Sequence, residues 1–349
     1  MTNSQLIYHV RVIDPANHAK AAASGASKKS ADDWLLIGAD GNIKEMGNGK
    51  PAYDKDVVAI DGGGAILAPS FTDMRVTMDN IIDGANLGQW SRVAFAGGVG
   101  TVVAVPSVKN PLDDMKTVRA FLAMVDSVNT KKLGKDTLKI HCYGAMTKNS
   151  EGQQLSEYGL MKKMGVLGFS DGAQSTSDSL VFWRILLYAK NFDGLVVAHP
   201  EDMILTRGAT ASESGHATRL GLPSAPALAE ALQLARDIAM VRASGRQHGR
   251  PTRYHSGPIT TRAGVEIIRQ AKKEGLPITA DTAPHYFALN EQAIGQYLTH
   301  AKLSPPLRSE DDRLAVIEGL LDGTIDAIAS DHRPLHDDKK RLPFASAVA

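Results

Sequence analysis

The sequence predicts an α/β fold, a TIM-type (β/α)8 barrel over residues 66–349 preceded by a small β domain over residues 1–65. Three observations carry that expectation. From Ile66 onward, eight apolar runs alternate with amphipathic segments, the pattern of a parallel sheet covered by helices. The runs are near-continuously apolar, as strands buried on both faces require. Polar and titratable residues gather at the C-terminal ends of the runs, where such barrels keep their chemistry.

The N-terminal part reads as short strands: "QLIYHVRVID", "DWLLIGADGNIKEMG" and "DVVAID". Asp40-Gly41 in the second stretch signals a hairpin, because its turn needs a positive φ that glycine supplies. Residues 18–33, "HAKAAASGASKKSADD", are small and polar with no apolar period, so a mobile insertion is expected there. The barrel strands are read from "AILAPSFTDM", "GVGTVVAVPS", "LKIHCYGAMT", "GVLGFSD", "GLVVAHPED", "TRYHSGP", "LPITADTAPHY" and "IDAIASDHRP". Segments such as "SAPALAEALQLARDIAMVRASG" and "TRAGVEIIRQAKKEG" repeat apolar residues at helical spacing. Gly97, Gly98 and Gly100 precede a strand instead of following one, which argues against a phosphate loop and an open doubly wound sheet.

Composition narrows the class. The 349 residues are 43% hydrophobic and 22% charged with a net charge of +1, ordinary for a globular chain. The nearest approach to a basic run, Lys131-Lys132 with Lys135 and Lys139, reads as a solvated face, so neither nucleic acid nor a membrane is expected as a partner. A single cysteine, Cys142, excludes an internal disulfide and fits a reducing compartment. The N-terminus lacks the basic and apolar regions of a signal peptide, and no apolar run reaches membrane-spanning length. A cytoplasmic protein is expected.

Several stretches resemble the dihydroorotases of the amidohydrolase superfamily: "IHCYGAMTK", "GFSDG", "AHPED", "GLPSAP", "GVEIIRQAKKEGLPITADTAPHYFAL", "LSPPLRSEDDR" and "IASDHRP". The resemblance covers nearly the whole chain and implies a zinc-dependent interconversion of carbamoyl aspartate and dihydroorotate. Such chemistry needs a Lewis acid on the carbonyl and a carboxylate to carry the proton. The family places a His-x-His pair at the end of strand one, an acid or modified lysine at strand four, histidines at strands five and six, and an aspartate at strand eight.

In this sequence the strand-one pair falls on Arg75 and Thr77, and the strand-six ligand on Pro258, which has no donor atom. A guanidinium stays cationic and repels a metal. Asp171, His199 and Asp331 match the remaining ligand positions, and Asp331 also the catalytic acid. Each has a structural reading too: a turn before Gly172, a hydrogen-bonded core histidine, and a loop contact beside His332. His255 matches a family position that is not a ligand, and His285 reads as structural. The substrate-binding positions fall on Asp79, Ser107 and Leu335, the first of which repels a substrate carboxylate.

The resemblance therefore implies a catalytically silent dihydroorotase-like chain with no cofactor, of the class that holds aspartate carbamoyltransferase in a dodecameric assembly in pyrimidine biosynthesis. The alternative is a zinc-dependent cyclic amidohydrolase with a rebuilt site. Arg75 is expected to pair with Asp171 or Asp331 where a metal sits in the family. "LPFASAVA" follows soon after strand eight, whereas the family continues with a last barrel helix and strands completing the small domain. Barrel surface left without that helix is expected to favour self-association.

Overall fold

The computed structural model describes residues 4–14, 32–79, 84–128 and 138–349. Residues 18–31 of the expected insertion, and Lys131, Lys132 and Lys135, lie outside the described residues. The chain divides into two compact units, Met1–Phe71 and Thr72–Ala349.

The first unit is a four-stranded sheet in the order β3-β2-β1-β4, formed by β1 (Gln5–Val12), β2 (Asp33–Ile37), β3 (Ile43–Asn48) and β4 (Val58–Leu67). The β2–β3 hairpin turns through Gly41 at φ 80°, and Asp40 accepts a hydrogen bond from the Asn42 backbone N–H at 3.2 Å. β1 pairs antiparallel with β2 and parallel with β4. β4 carries this sheet to Leu67, past the 65/66 boundary read from the sequence.

The second unit is the barrel. β5 (Phe71–Thr77), β6 (Val99–Val105) and β7 (Lys139–Cys142) form one sheet, while β8 (Val196–Ala198), β11 (Tyr254–Ser256), β12 (Ile278–Thr282) and β13 (Ala327–Ile328) form another. A short pair, β9 (Ala211–Ser212) and β10 (Ser224–Ala225), lies in the β8–β11 connection. Phe169, in the "GVLGFSD" run, bridges Gly144 and Val196 and so joins the two sheets. A parallel bridge between Val76 and His332 closes the ring, with the Thr77 N–H donating to the His332 carbonyl at 2.9 Å. The (β/α)8 arrangement expected from the alternation of runs is thus present, with the fourth strand reduced to bridges around one phenylalanine.

Helices follow the strands: α1 (Gly84–Ala96), α2 (Met115–Val128), α3 (Tyr158–Lys163), α4 (Ser179–Lys190), α5 (Gly215–Arg219), α6 (Leu228–His248), α7 (Arg262–Lys273), α8 (Pro284–Ala288) and α9 (Glu310–Leu321). Side-chain oxygens of Asp178, Thr261 and Ser309 cap α4, α7 and α9, satisfying backbone N–H groups of the first turn. Strand alternation decides what faces where. Val102, Val196, Tyr254 and Ile278 point outward into the helix-covered core. Val103 and Val197 belong to a separate cluster with Tyr143, on the opposite strand faces. The same alternation turns Arg75, His255 and Asp281 away from the helices and into the barrel.

Candidate functional site at the C-terminal end of the barrel

Arg75 near the end of β5 is buried, and its Nη2 donates to Asp281 Oδ2 at 2.7 Å. Asp281 lies on β12 and is 1% exposed. Its Oδ2 also meets His255 Nε2 at 2.9 Å, and the other ring nitrogen of His255 meets Thr279 Oγ1 at 2.8 Å. Burial alone would raise the Asp281 pKa, but the charge of Arg75 and the bond from His255 hold it below the usual carboxylate value. Arg75 is therefore paired with Asp281, which corrects the expectation of Asp171 or Asp331. The strand-seven acid sits beside the strand-one end in this closed barrel, and its alternation points it inward. Asp331 remains within electrostatic reach of Arg75, and its pKa is raised by burial.

Gly257 explains how the strand-six segment fits. A Cβ built there would lie 2.2 Å from Asp281 Oδ1, so the carboxylate rests directly against the backbone one residue before Pro258. Arg75 and the Pro258 segment, at the expected strand-one and strand-six ligand positions, thus meet through the Asp281 carboxylate. Asp281 Oδ1 and Arg75 Nε are buried and without hydrogen-bond partners.

The other positions singled out in the sequence have separate partners. Asp171 accepts from the Thr147 N–H at 2.9 Å and the Thr147 hydroxyl at 2.6 Å, and burial pushes its pKa up to about 6. Gly172 after it has φ 64° and approaches the Pro106 carbonyl too closely for a Cβ. His199 is buried, with Nε2 3.4 Å from Glu201 Oε2. Asp331 is half-buried at φ 52°, while the His332 ring meets Trp90 edge-on at 5.2 Å. Asp79 accepts a short hydrogen bond from the Ser107 hydroxyl. Thr77 and Leu335 are half-buried, and the His285 ring packs on Tyr286 with its pKa lowered to about 4 by burial.

Four charged residues that sequence reasoning passed over complete the mouth: Asp281, Glu201, Glu230 and Arg308. Arg308 is buried and reaches Glu201 at 3.4 Å and the Thr260 hydroxyl at 3.0 Å. Glu230 on α6 accepts from both the N–H and the hydroxyl of Thr261, at 3.0 and 2.7 Å. The available signal was an acid or arginine inside an otherwise apolar or small stretch, as in "ITADTA" and "SPPLRS".

Zinc at such a mouth takes imidazole and carboxylate ligands with one position open. The residues present do not fit it. Arg75 places a cation at the ligand position expected on strand one, Pro258 offers no side-chain donor at the one expected on strand six, and the Asp171 carboxylate is engaged by Thr147. Among the described residues, no group of three or more His, Cys, Asp or Glu side chains is arranged to hold a metal ion.

Comparison with known proteins agrees with this fold. The family described as "Dihydro-orotase-like" matches residues 65–255. The chain is 34% identical over 352 residues to a dihydroorotase of Geobacter metallireducens, covering 98% of this chain and 76% of that one. It is likewise 34% identical over 345 residues to a dihydroorotase of Syntrophotalea carbinolica, covering 98% and 75%. Among solved structures, L-hydantoinase from Arthrobacter aurescens superposes with a TM-score of 0.76 at 19% identity, over 99% of this chain and 72% of that one. D-hydantoinase from Thermus sp. gives 0.71 at 20% identity, over 99% and 73%. At these identities the structural likeness speaks for the fold alone.

Proposed function

The chain belongs to the dihydro-orotase-like family, and from that premise we propose that it is a catalytically silent member of it. The observation that carries this reading is the buried 2.7 Å ion pair of Arg75 with Asp281, at the place where the family's reaction needs a metal. A guanidinium has no lone pair for a metal and does not deprotonate in proteins, so it neither binds zinc nor supplies a base. Asp79, already bonded to Ser107, adds a negative charge where the substrate's carboxylate has to sit.

With turnover gone, the protein's role is structural. It binds the catalytic chains of aspartate carbamoyltransferase in the cytoplasm and holds them in a hetero-oligomer, a dodecamer by family resemblance, that is active in pyrimidine biosynthesis. The retained barrel supports this, since a fold kept without its chemistry still offers surface.

Two measurements test the proposal. Purified protein with added zinc is expected to give no interconversion of carbamoyl aspartate and dihydroorotate; activity abolished by Asp331→Ala would overturn it. Mixing the chain with aspartate carbamoyltransferase of the same organism is expected to give a larger assembly with raised transferase activity. Separate masses and unchanged activity would remove the structural role. The names of the relatives favour a second reading, a cyclic amidohydrolase with a rebuilt site, and turnover in the first measurement would establish it.

A further inference from the structure

We infer that Arg75 is a built-in replacement for the metal, a fixed cation that neutralises the carboxylates of the barrel mouth and holds strands β5, β11 and β12 together there. The ends of these strands converge on one carboxylate. Asp281 Oδ2 takes the Arg75 guanidinium at 2.7 Å and the His255 ring at 2.9 Å, while its Oδ1 presses on Gly257. Asp331 lies within electrostatic reach of both Arg75 and His199. Without a cation, two buried or half-buried acids at this mouth would face each other in a medium of low dielectric, where like charges repel strongly.

A resident metal would neutralise such acids from a central position. The guanidinium does so from the chain itself, and its planar fork suits a carboxylate. Asp281 Oδ1 and Arg75 Nε have no hydrogen-bond partner from another side chain or the backbone.

The inference rests on the reading of this mouth as silent, yet the two fail separately. Loss of that reading registers as turnover, whereas loss of this one registers in stability. The test is the thermal midpoint of the intact chain, measured with a chelator and with excess zinc chloride. Arg75→Ala is expected to melt on the order of 5–10 °C lower than the native protein, because it leaves a buried carboxylate unpaired. Zinc is expected to leave the native midpoint unchanged, because Arg75 already supplies the cation, Pro258 offers no side-chain donor and Asp171 is held by Thr147. A native protein stabilised by zinc, or an Arg75→Ala variant that melts with the native one, overturns the inference. If Arg75→Ala does not fold, Arg75→Met combined with Asp281→Asn decides. Charge neutralisation requires the pair to melt closer to the native protein than Arg75→Met alone, and additive losses contradict it.

Discussion

Gly257 shows how far one residue constrains this mouth. Its missing side chain is what lets the Asp281 carboxylate approach the β11 end, since an added Cβ would lie 2.2 Å from Oδ1. Neither partner can yield freely, because Asp281 is held by Arg75 and His255 on its other oxygen. Gly257→Ala is therefore expected to cost roughly 1–3 kcal/mol, the usual penalty of overpacking a tight site. Denaturant unfolding should show it as a lower midpoint at unchanged slope. A neutral effect would mean that the carboxylate and backbone separate easily, and that the approach is not enforced. Cys142 is a different kind of buried residue. Burial pushes its thiol up to about 12, so it is a small core side chain with no thiolate to offer at neutral pH.

At the scale of elements, α6 is tied to β11 by one buried polar contact. Asp237 on the helix accepts from the Tyr254 hydroxyl at 3.0 Å and from Arg236 at 2.7 Å, with Asp237 and Tyr254 both fully buried. Burial outweighs these partners and raises the Asp237 pKa from 3.8 to about 6. The folded state thus binds the proton more tightly than the unfolded one. Between roughly pH 4 and pH 6 the folded chain carries more protons, so this group makes stability fall as pH rises through that window. Asp237→Asn keeps the shape and removes the titration. The native protein should lose up to about 3 kcal/mol relative to the variant between those limits, read from denaturant midpoints across pH. A native-minus-variant difference that stays flat with pH would contradict the assignment.

At the scale of the molecule, the flank where β13 meets β5 stands out. Leu321 at the end of α9 is 83% exposed, Ile328 on β13 is 50% exposed and Val93 on α1 is 59% exposed. Phe344 is buried beside Tyr286, Ile294 and Leu307, and Lys302 Nζ donates to the Phe344 and Ala345 carbonyls at 2.9 Å. Exposed apolar side chains favour association with another apolar surface. We expect the chain on its own to self-associate through this flank, and Val93→Ser with Leu321→Ser to lower its mass in light scattering without lowering its melting midpoint. A native protein that is monomeric at all concentrations would remove the expectation. No helix among the described residues is long and apolar enough to cross a membrane.

Much of this protein was determined within short stretches of its sequence. Apolar period sets strand and helix locally, which is why the hairpin at Asp40-Gly41, the helices over "ALAEALQLARDIAMV" and "AGVEIIRQAKK", and the alternation of the barrel were legible. The loss of imidazole donors at Arg75, Thr77 and Pro258 was equally legible, because a guanidinium repels a metal and a proline side chain has no donor atom in any fold. The tertiary structure alone decided that Arg75 pairs with Asp281, 206 residues away. It also decided that Arg308 bridges to Glu201, and that Phe344 packs beside Tyr286. A buried charge demands a partner but does not name it. Which acid answers depends on how the closed ring aligns strands that are distant in sequence, and no local pattern encodes that alignment.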